Sequence, residues 1–383
     1  MIVAIDTNCI LPGKVGGIEN YTVGLIEALQ GRGSPLDRLV LLTRPENHDR
    51  FAALADARTR AVLVDRPTGT WAALGATGAE GARAAMAEHQ RRKTDAIAAA
   101  GADVVHCPGN TINPLGLPAP VVLNLHDLQH RHYPQYFTAE ELAERETWWT
   151  ASARRADALL AASDYVRDDL HTQLGIAPTQ VFVAPDPVEA AFARTPTASE
   201  LAEVRTRFAL PASFFLYPAA AWPHKNHARL FRAIGSVPGA ELILTGGGHD
   251  ALPAAPGVRS LGRVATADLV ALYHLATAVV FPSQHESWSI PLAEAMTCGC
   301  PVAAAAVTSL PEQVGDAGLL FPADDHAAMA DAIRRLSTDA SLRRTLAERG
   351  RAQVRQWTPQ RFLQTVLAAY GHACRGYRSR KAA

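Results

Sequence analysis

Short apolar runs separated by helical stretches constrain this 383-residue chain more than any other feature. Seven fall in the first half: IVAIDTN (2–8), LVLLTR (39–44), AVLVDR (61–66), DVVHCPG (103–109), VVLNLHD (121–127), ALLAASD (158–164) and VFVAPDP (181–187). Six follow: FFLYPAA (214–220), ELILTGG (241–247), VRSLGRV (258–264), AVVFPS (278–283), PVAAAAV (301–307) and GLLFPA (318–323). Most are continuous rather than alternating, as strands read when a parallel sheet buries both their faces. Helical spacing fills the gaps. Ile18, Tyr21, Leu25, Ile26 and Leu29 make one stripe, and Thr138 with Glu141 forms a capping box that opens a long helix through Trp148 and Trp149. Such alternation predicts doubly wound α/β domains with right-handed crossovers.

A chain of 383 residues exceeds one typical core, so two domains are expected. The seam reads near 188–210: Asp186-Pro187 ends one unit, Thr195-Pro196-Thr197 is linker-like, and Leu210-Pro211 precedes the next strand. The expected organisation is residues 1–190, residues 191–357 and a separate segment 358–383. That last segment opens with an amphipathic helix from Thr358-Pro359 to Tyr370, carrying Phe362, Val366 and Ala369. Lys+Arg and Asp+Glu balance at 37 each, which leaves no nucleic-acid footprint. Five cysteines without paired spacing point to a reducing compartment. No apolar run approaches the ~18 residues of a spanning helix. MIVAIDTN carries Asp6 inside its apolar run and reads as a strand, not a signal peptide. Cytoplasmic localisation is therefore expected. The basic tail Arg375 to Lys381 reads as a solvated end, with peripheral membrane contact as the alternative.

HESWSIPLAEAMTCG places Glu286 and Glu294 eight residues apart across a loop-to-helix junction. Pro291 suits the first turn, where its missing N–H costs little. Free N–H groups and the positive dipole end of that helix favour an anion such as a diphosphate. Carboxylates flanking an anion site can accept the hydroxyl protons of a ribose and a sugar.

Other motifs sit at strand ends, where α/β sheets bind ligands. Gly16-Gly17-Ile18-Glu19-Asn20 opens a helix, and its glycines permit positive φ and close backbone approach; it is a phosphate or sugar loop, or a plain turn. His126-Asp127 ends VVLNLHD, where a neutral imidazole can donate to and accept from sugar hydroxyls. His106, His130 and His132 lie nearby in sequence but lack the thiolate or carboxylate set of a metal site. His224-Lys225-Asn226-His227 follows FFLYPAA, and Lys225 offers a point charge matched to diphosphate. The Gly246-Gly247-Gly248 loop either faces a nucleotide or simply turns. Asp168-Asp169 and Asp324-Asp325 fall on a helix and at a helix start, where carboxylates are expected anyway.

Glu-x7-Glu, the following Cys298-Gly299-Cys300-Pro301-Val302 turn, the glycine loop, the His126 strand end and Lys225 together resemble the retaining glycosyltransferases of family 4 over nearly the whole chain. The resemblance implies a GT-B fold: α/β, two Rossmann-like doubly wound parallel-sheet domains facing a cleft. It implies a nucleotide-sugar domain on the C-terminal side, an acceptor-side N-terminal domain with acceptor loops in residues 45–100, and a terminal helix crossing back to the first domain. It implies catalytic roles for Glu286, His126 and Lys225. Donor binding would fall to Gly16, Gly17, Asp127, Asn226, Ser287, Trp288, Ser289, Ile290 and Glu294, the last holding ribose. No cofactor or metal is expected, since the nucleoside-diphosphate sugar is a substrate. The acceptor would be a saccharide, a lipid-linked saccharide or a small molecule. Two positions depart from the family pattern. Ala220 stands where an arginine usually pairs with the lysine, with Arg263 as a candidate replacement; Ser289 stands where glycine is common, so its N–H must approach the donor past a side chain. The reading is a hexosyltransferase using a mannose-like donor, GDP-mannose first. Rivals are transfer to a small natural product from a UDP- or dTDP-sugar, and a degenerate sugar-nucleotide binding protein without turnover.

Overall fold

The computed structural model describes residues 1–12, 16–31, 33–64 and 79–382. Of the expected acceptor loops, residues 65–78 lie outside the described residues. Two compact units form. The first comprises Met1–Ala162, Val166–Ala184 and Gln360–Ala383; the second comprises Ser163–Tyr165 and Pro185–Pro359.

Each apolar run contains a strand. The first unit holds β1 (Ile2–Asp6), β2 (Arg38–Thr43), β3 (Thr59–Leu63), β4 (Val104–Cys107), β5 (Val121–Asn124), β6 (Ala158–Ala161) and β7 (Val181–Val183). They form one sheet in the order β3-β2-β1-β4-β5-β6-β7, with every pairing parallel. The second unit holds β8 (Phe215–Pro218), β9 (Leu242–Thr245), β10 (Val258–Ser260), β11 (Ala278–Phe281), β12 (Val302–Ala305) and β13 (Gly318–Phe321), ordered β10-β9-β8-β11-β12-β13 and also parallel. Winding direction reverses between β1 and β4 in one sheet and between β8 and β11 in the other. Those are the switch points where open α/β sheets bind ligands.

Helix Gly16–Gln30 buries Tyr21, Leu25, Ile26 and Leu29 against Val3 and Ile5 of β1, and the terminal helix adds Phe362, Val366, Ala369 and Tyr370 to the same core. Burial of each leucine, isoleucine, valine or phenylalanine among them stabilises by about 1.5–3 kcal/mol. The terminal helix runs from Pro359 to Ala382, well beyond Tyr370, and its Tyr370 hydroxyl bonds His106 Nδ1 at 2.7 Å. The other ring nitrogen of His106 donates to Asn124 Oδ1, and burial pushes the imidazole down to about 4. His132 bonds Asp169, and His130 packs edge-on to Trp149, so the histidines serve separate structural contacts. Among the described residues no group of three or more His, Cys, Asp or Glu side chains is arranged to hold a metal ion, and no helix is long and apolar enough to cross a membrane.

One stretch differs from its sequence reading. Thr195-Pro196-Thr197 is not a linker: Thr197 caps helix Ala198–Arg207 through a full capping box with Glu200. The Thr138–Glu141 box forms as expected on helix Ala139–Arg155.

Candidate active site

The second sheet's switch point is built from the loops after β8 and β11. Pro223–Lys225 makes a single 3-10 turn, and Asn226 follows at φ 58°, in the left-handed region that asparagine tolerates. The Asn226 amide donates to the carbonyls of Pro282 at 3.0 Å and Ala323 at 3.2 Å. It therefore ties this turn to the ends of β11 and β13. Tyr217, fully buried on β8, donates its hydroxyl to the Lys225 carbonyl at 2.9 Å. The turn is fixed from both sides before any ligand arrives.

Across the switch point, Gln284 N–H donates to the His224 carbonyl at 2.8 Å. Thr308 Oγ1 accepts from Glu286 N–H at 3.0 Å, and Ser309 Oγ donates to the Glu286 carbonyl at 2.9 Å. The two fixed loops bring Lys225 Nζ to 2.7 Å from Glu286 Oε1. Burial alone would raise the Glu286 carboxyl. The Lys225 charge and hydrogen bonds from Lys225 and Ser283 outweigh it and hold the group below its ordinary range. Glu286 is thus an anion with a matched cation, although only 7% of its side chain is exposed.

Helix Ile290–Cys298 begins as expected, with Pro291 in its first turn, and ends at Gly299 with φ 73°. Its donors differ from expectation. Gln313 clamps Ser289 by accepting from its N–H at 2.9 Å and donating to its carbonyl at 3.0 Å. Leu292 and Ala293 N–H groups return to the Ser289 carbonyl at 3.1 and 3.2 Å. Proline has no N–H, so Ile290 N–H is the first-turn donor that these bonds leave over. The Ser289 amide, expected to approach a donor sugar, is already committed, and the residue is 2% exposed.

Glu294 is half-buried one turn inside this helix, where Tyr273 donates its hydroxyl to Oε2 at 2.8 Å. Burial pushes this carboxyl up to about 7. Ser287 and Ile290 are half-buried. Trp288 packs edge-to-face on Trp357, with ring centroids 4.7 Å apart. Beyond β8, Ala220 lies against the glycine loop: a Cβ on Gly246 would meet Ala219 O at 2.7 Å and Ala220 N at 3.0 Å, and Gly246 has φ 134°. The Arg263 guanidinium rests beside Gly247, 3.4 Å from where its Cβ would be. Arginine charge therefore reaches the loop cluster that includes Ala220.

The remaining candidates belong to the first unit. His126 lies past the end of β5, with Nε2 donating to the Pro108 carbonyl at 2.8 Å and its ring edge-on to Tyr21. Burial lowers its pKa, so the neutral tautomer carries its proton on Nε2 and an acceptor lone pair on Nδ1. Asp127 accepts from Gln129 N–H at 3.1 Å. Gly16 and Gly17 open helix Gly16–Gln30; Gly17 does not use the positive φ that glycine permits, and it has open space where a Cβ would go. The sequence reading missed Tyr273, Thr308 and Ser309, which position the two glutamates, and Gln313, which holds Ser289 between them.

Two family models match the chain: Glycosyltransferase Family 4 over residues 15–192 and Glycosyl transferases group 1 over residues 213–339. The chain belongs to glycosyltransferase family 4. This family 4 chain is 41% identical over 113 residues to O-antigen chain mannosyltransferase B of Escherichia coli, a match covering 30% of each protein. It spans about 30% of the length of that curated relative. Its fold matches sucrose-phosphate synthase from Thermosynechococcus elongatus with a TM-score of 0.76 at 21% identity, covering 97% of this chain and 98% of that one. Anabaena HepE in complex with UDP and glucose matches with a TM-score of 0.74 at 18% identity, covering 97% and 99%. The architecture of the two sheets is GT-B.

Proposed function

We propose that this family 4 chain is a retaining glycosyltransferase that moves a hexose, mannose first, from a nucleoside-diphosphate sugar to a hydroxyl of a saccharide or lipid-linked acceptor. The carrying observation is the Lys225–Glu286 pair at the switch point of the second sheet, beside the N-terminus of helix Ile290–Cys298. Lys225 and the Ile290 amide would stabilise the leaving diphosphate as its charge develops. Glu294 would accept from the ribose, and Glu286 and His126 would orient the hexose. The acceptor oxygen would attack from the face the diphosphate leaves, passing its proton to the departing phosphate oxygen. The mannosyltransferase relative supports the choice of sugar, and the reading of GDP as the base rests on resemblance alone. HepE, solved with UDP and glucose, favours a second reading in which the base is uracil. A small-molecule acceptor would go with that reading.

A thermal-shift panel of GDP, UDP, dTDP and ADP on the wild type and Glu294→Ala decides the base. At 100 times its Kd the matching nucleotide should stabilise the wild type by about 2.7 kcal/mol and the variant far less. No shift with any nucleotide would sink the nucleotide-sugar reading. Because burial lifts Glu294 to about 7, nucleotide binding should weaken as pH falls through that value, and Glu294→Gln should flatten the dependence.

A further inference from the structure

A cavity that no part of the proposed reaction uses opens at the edge of the first sheet opposite its switch point. The parallel strands β5, β6 and β7 begin there, at Val121, Ala158 and Val181. Their four-residue length puts roughly 13 Å between the two edges, at 3.3 Å per residue. The cavity encloses about 410 Å³, within the roughly 300–1,000 Å³ of small-ligand sites.

Its charged lining is Arg154 and Arg155 in the last turn of helix Ala139–Arg155, Asp157 just after it, and Arg380 near the end of the terminal helix. The rest of the lining, Ala156, Gln180 and Tyr377, is neutral. An arginine in the last turn of a helix complements the helix dipole, which accounts for each of these singly. It does not account for three of them converging on one carboxylate. Three guanidiniums against one carboxylate leave two positive charges in excess. Even with about half a negative charge at each of the two helix C-termini, about one positive charge remains.

The carboxylate is already spent. Asp157, with 2% of its side chain exposed, accepts from Val121 N–H at 2.7 Å and Arg155 Nη1 at 3.3 Å on Oδ2, and from Arg380 Nη2 on Oδ1. Arg155 also donates from Nε to the Leu115 carbonyl at 2.8 Å. A guanidinium has five N–H donors, so these bonds take two from Arg155 and one from Arg380. Arg154 is exposed and makes no hydrogen bond or ion pair among the described residues. Donor forks arriving from two helices suit an anion whose acceptor oxygens point in several directions, as in a tetrahedral phosphate, better than a planar carboxylate.

We propose that this cavity binds a phosphate group, held by the free N–H donors of Arg154, Arg155 and Arg380. A soluble phosphate ester and a phospholipid headgroup share that chemistry. The bound group ties the last turn of the terminal helix to the end of helix Ala139–Arg155. The inference does not rest on the transferase reading, because the cavity is remote from Lys225 in sequence and belongs to the first unit alone.

The test titrates the full chain calorimetrically with inorganic phosphate, glycerol 3-phosphate and acetate. We expect a phosphate Kd on the order of 1 mM, weakened about tenfold in Arg154→Ala and unchanged in Lys225→Met, with acetate not binding. Arg380→Ala should weaken binding similarly. Should that variant loosen the terminal helix, Arg154→Ala decides alone, since its side chain is exposed and unbonded. Hydrogen exchange at the end of the terminal helix should slow when phosphate binds. Co-sedimentation with phosphatidylcholine vesicles, with and without phosphatidylglycerol, separates the two sources. Pelleting that needs phosphatidylglycerol and is lost in Arg154→Ala assigns the site to a headgroup; glycerol 3-phosphate binding without pelleting assigns it to a soluble ester. Absence of both, binding unchanged in Arg154→Ala, loss of phosphate binding in Lys225→Met instead, or equal binding of acetate overturns the proposal. Nucleotide shifts should be the same in Arg154→Ala as in the wild type, and phosphate binding without any nucleotide shift would overturn the transferase reading and leave this site standing.

Discussion

Both sheets carry a lysine–carboxylate pair at the switch point, and the two pairs are built in opposite ways. In the second unit Lys225 and Glu286 stand on loops after the neighbouring strands β8 and β11. In the first, Asp6 is the last residue of β1 and Lys93 comes from the middle of a helix 87 residues later. Lys225 keeps 20% of its side chain exposed, whereas Lys93 keeps 2% and is also bonded to the Asn113 carbonyl. An accessible lysine can exchange its carboxylate for an incoming phosphate. A fully enclosed one holds its partner in place and offers only its remaining N–H. Equal charges at equivalent places in two sheets therefore behave differently: one lysine is open to exchange, and the other is locked to its strand end.

Breaking each pair should expose that difference. Lys93→Met leaves Asp6 buried and uncompensated, and should cost about 3–5 kcal/mol in denaturant unfolding. Adding Asp6→Leu to that variant should recover most of the loss. Lys225→Met should cost less, because Ser283 still bonds Glu286 and the site is nearer solvent, yet it should remove nucleotide stabilisation. Equal stability losses from the two lysine variants would show that the pairs are alike and undo the comparison.

Acid sharpens it next. His106 in the first unit and His227 in the second are both held by burial at about 4. Below an ordinary value near 6.5 the unfolded chain takes up a proton that the folded imidazole refuses. The histidines' contribution to stability is therefore complete above pH 6.5 and is lost as pH drops toward 4. For His106 that span corresponds to about 3 kcal/mol at about 1.4 kcal/mol per pH unit. Denaturant unfolding at pH 7 and pH 4.5 should show the fall in the wild type, and His106→Gln should remove the His106 share while the His227 share remains. His106 also accepts from Tyr370 on the terminal helix, so Tyr370→Phe should weaken the first unit by about 1 kcal/mol at pH 7.

These contrasts also mark what was legible in the sequence. Buried parallel strands leave continuous apolar runs, so every strand of both sheets could be read from the chain. Lys225 and Glu286 were legible because each follows a strand within a few residues, where the fold itself delivers side chains to the ligand edge. Lys93 was not, since a lysine in a long polar helix looks solvated until Asp6 is placed beside it. The Ser289 amide was misread for a related reason: Gln313, 24 residues on, occupies it from another element. Asn226 read as a ligand for the donor, yet its amide holds two carbonyls together, and only the left-handed backbone there reveals why asparagine is present. The terminal helix was cut at Tyr370 because the basic tail hid the continuing period.

The smallest expected effect concerns two capping boxes of the same design. Thr138 N–H donates to Glu141 Oε2 at 2.8 Å and Glu141 N–H to Thr138 Oγ1 at 3.2 Å; Thr197 and Glu200 repeat this at 2.7 and 3.3 Å. Both have threonine, two intervening residues and glutamate, but Pro196 beside the second made it read as linker. Each threonine is exposed, so replacing it by alanine should remove little besides the cap, about 1 kcal/mol in either unit. Glu200 additionally meets Arg194 at 2.8 Å, an exposed pair that salt should screen. Thr138→Ala and Thr197→Ala should thus cost the same at high salt. Measuring both in 0.05 M and 1 M NaCl would isolate any coupling between the second cap and its arginine, because loss of the cap also loosens the glutamate that arginine holds. A salt-dependent gap confined to Thr197→Ala would distinguish the two boxes; its absence would make them interchangeable and confirm that the proline, not the cap chemistry, misled the sequence reading.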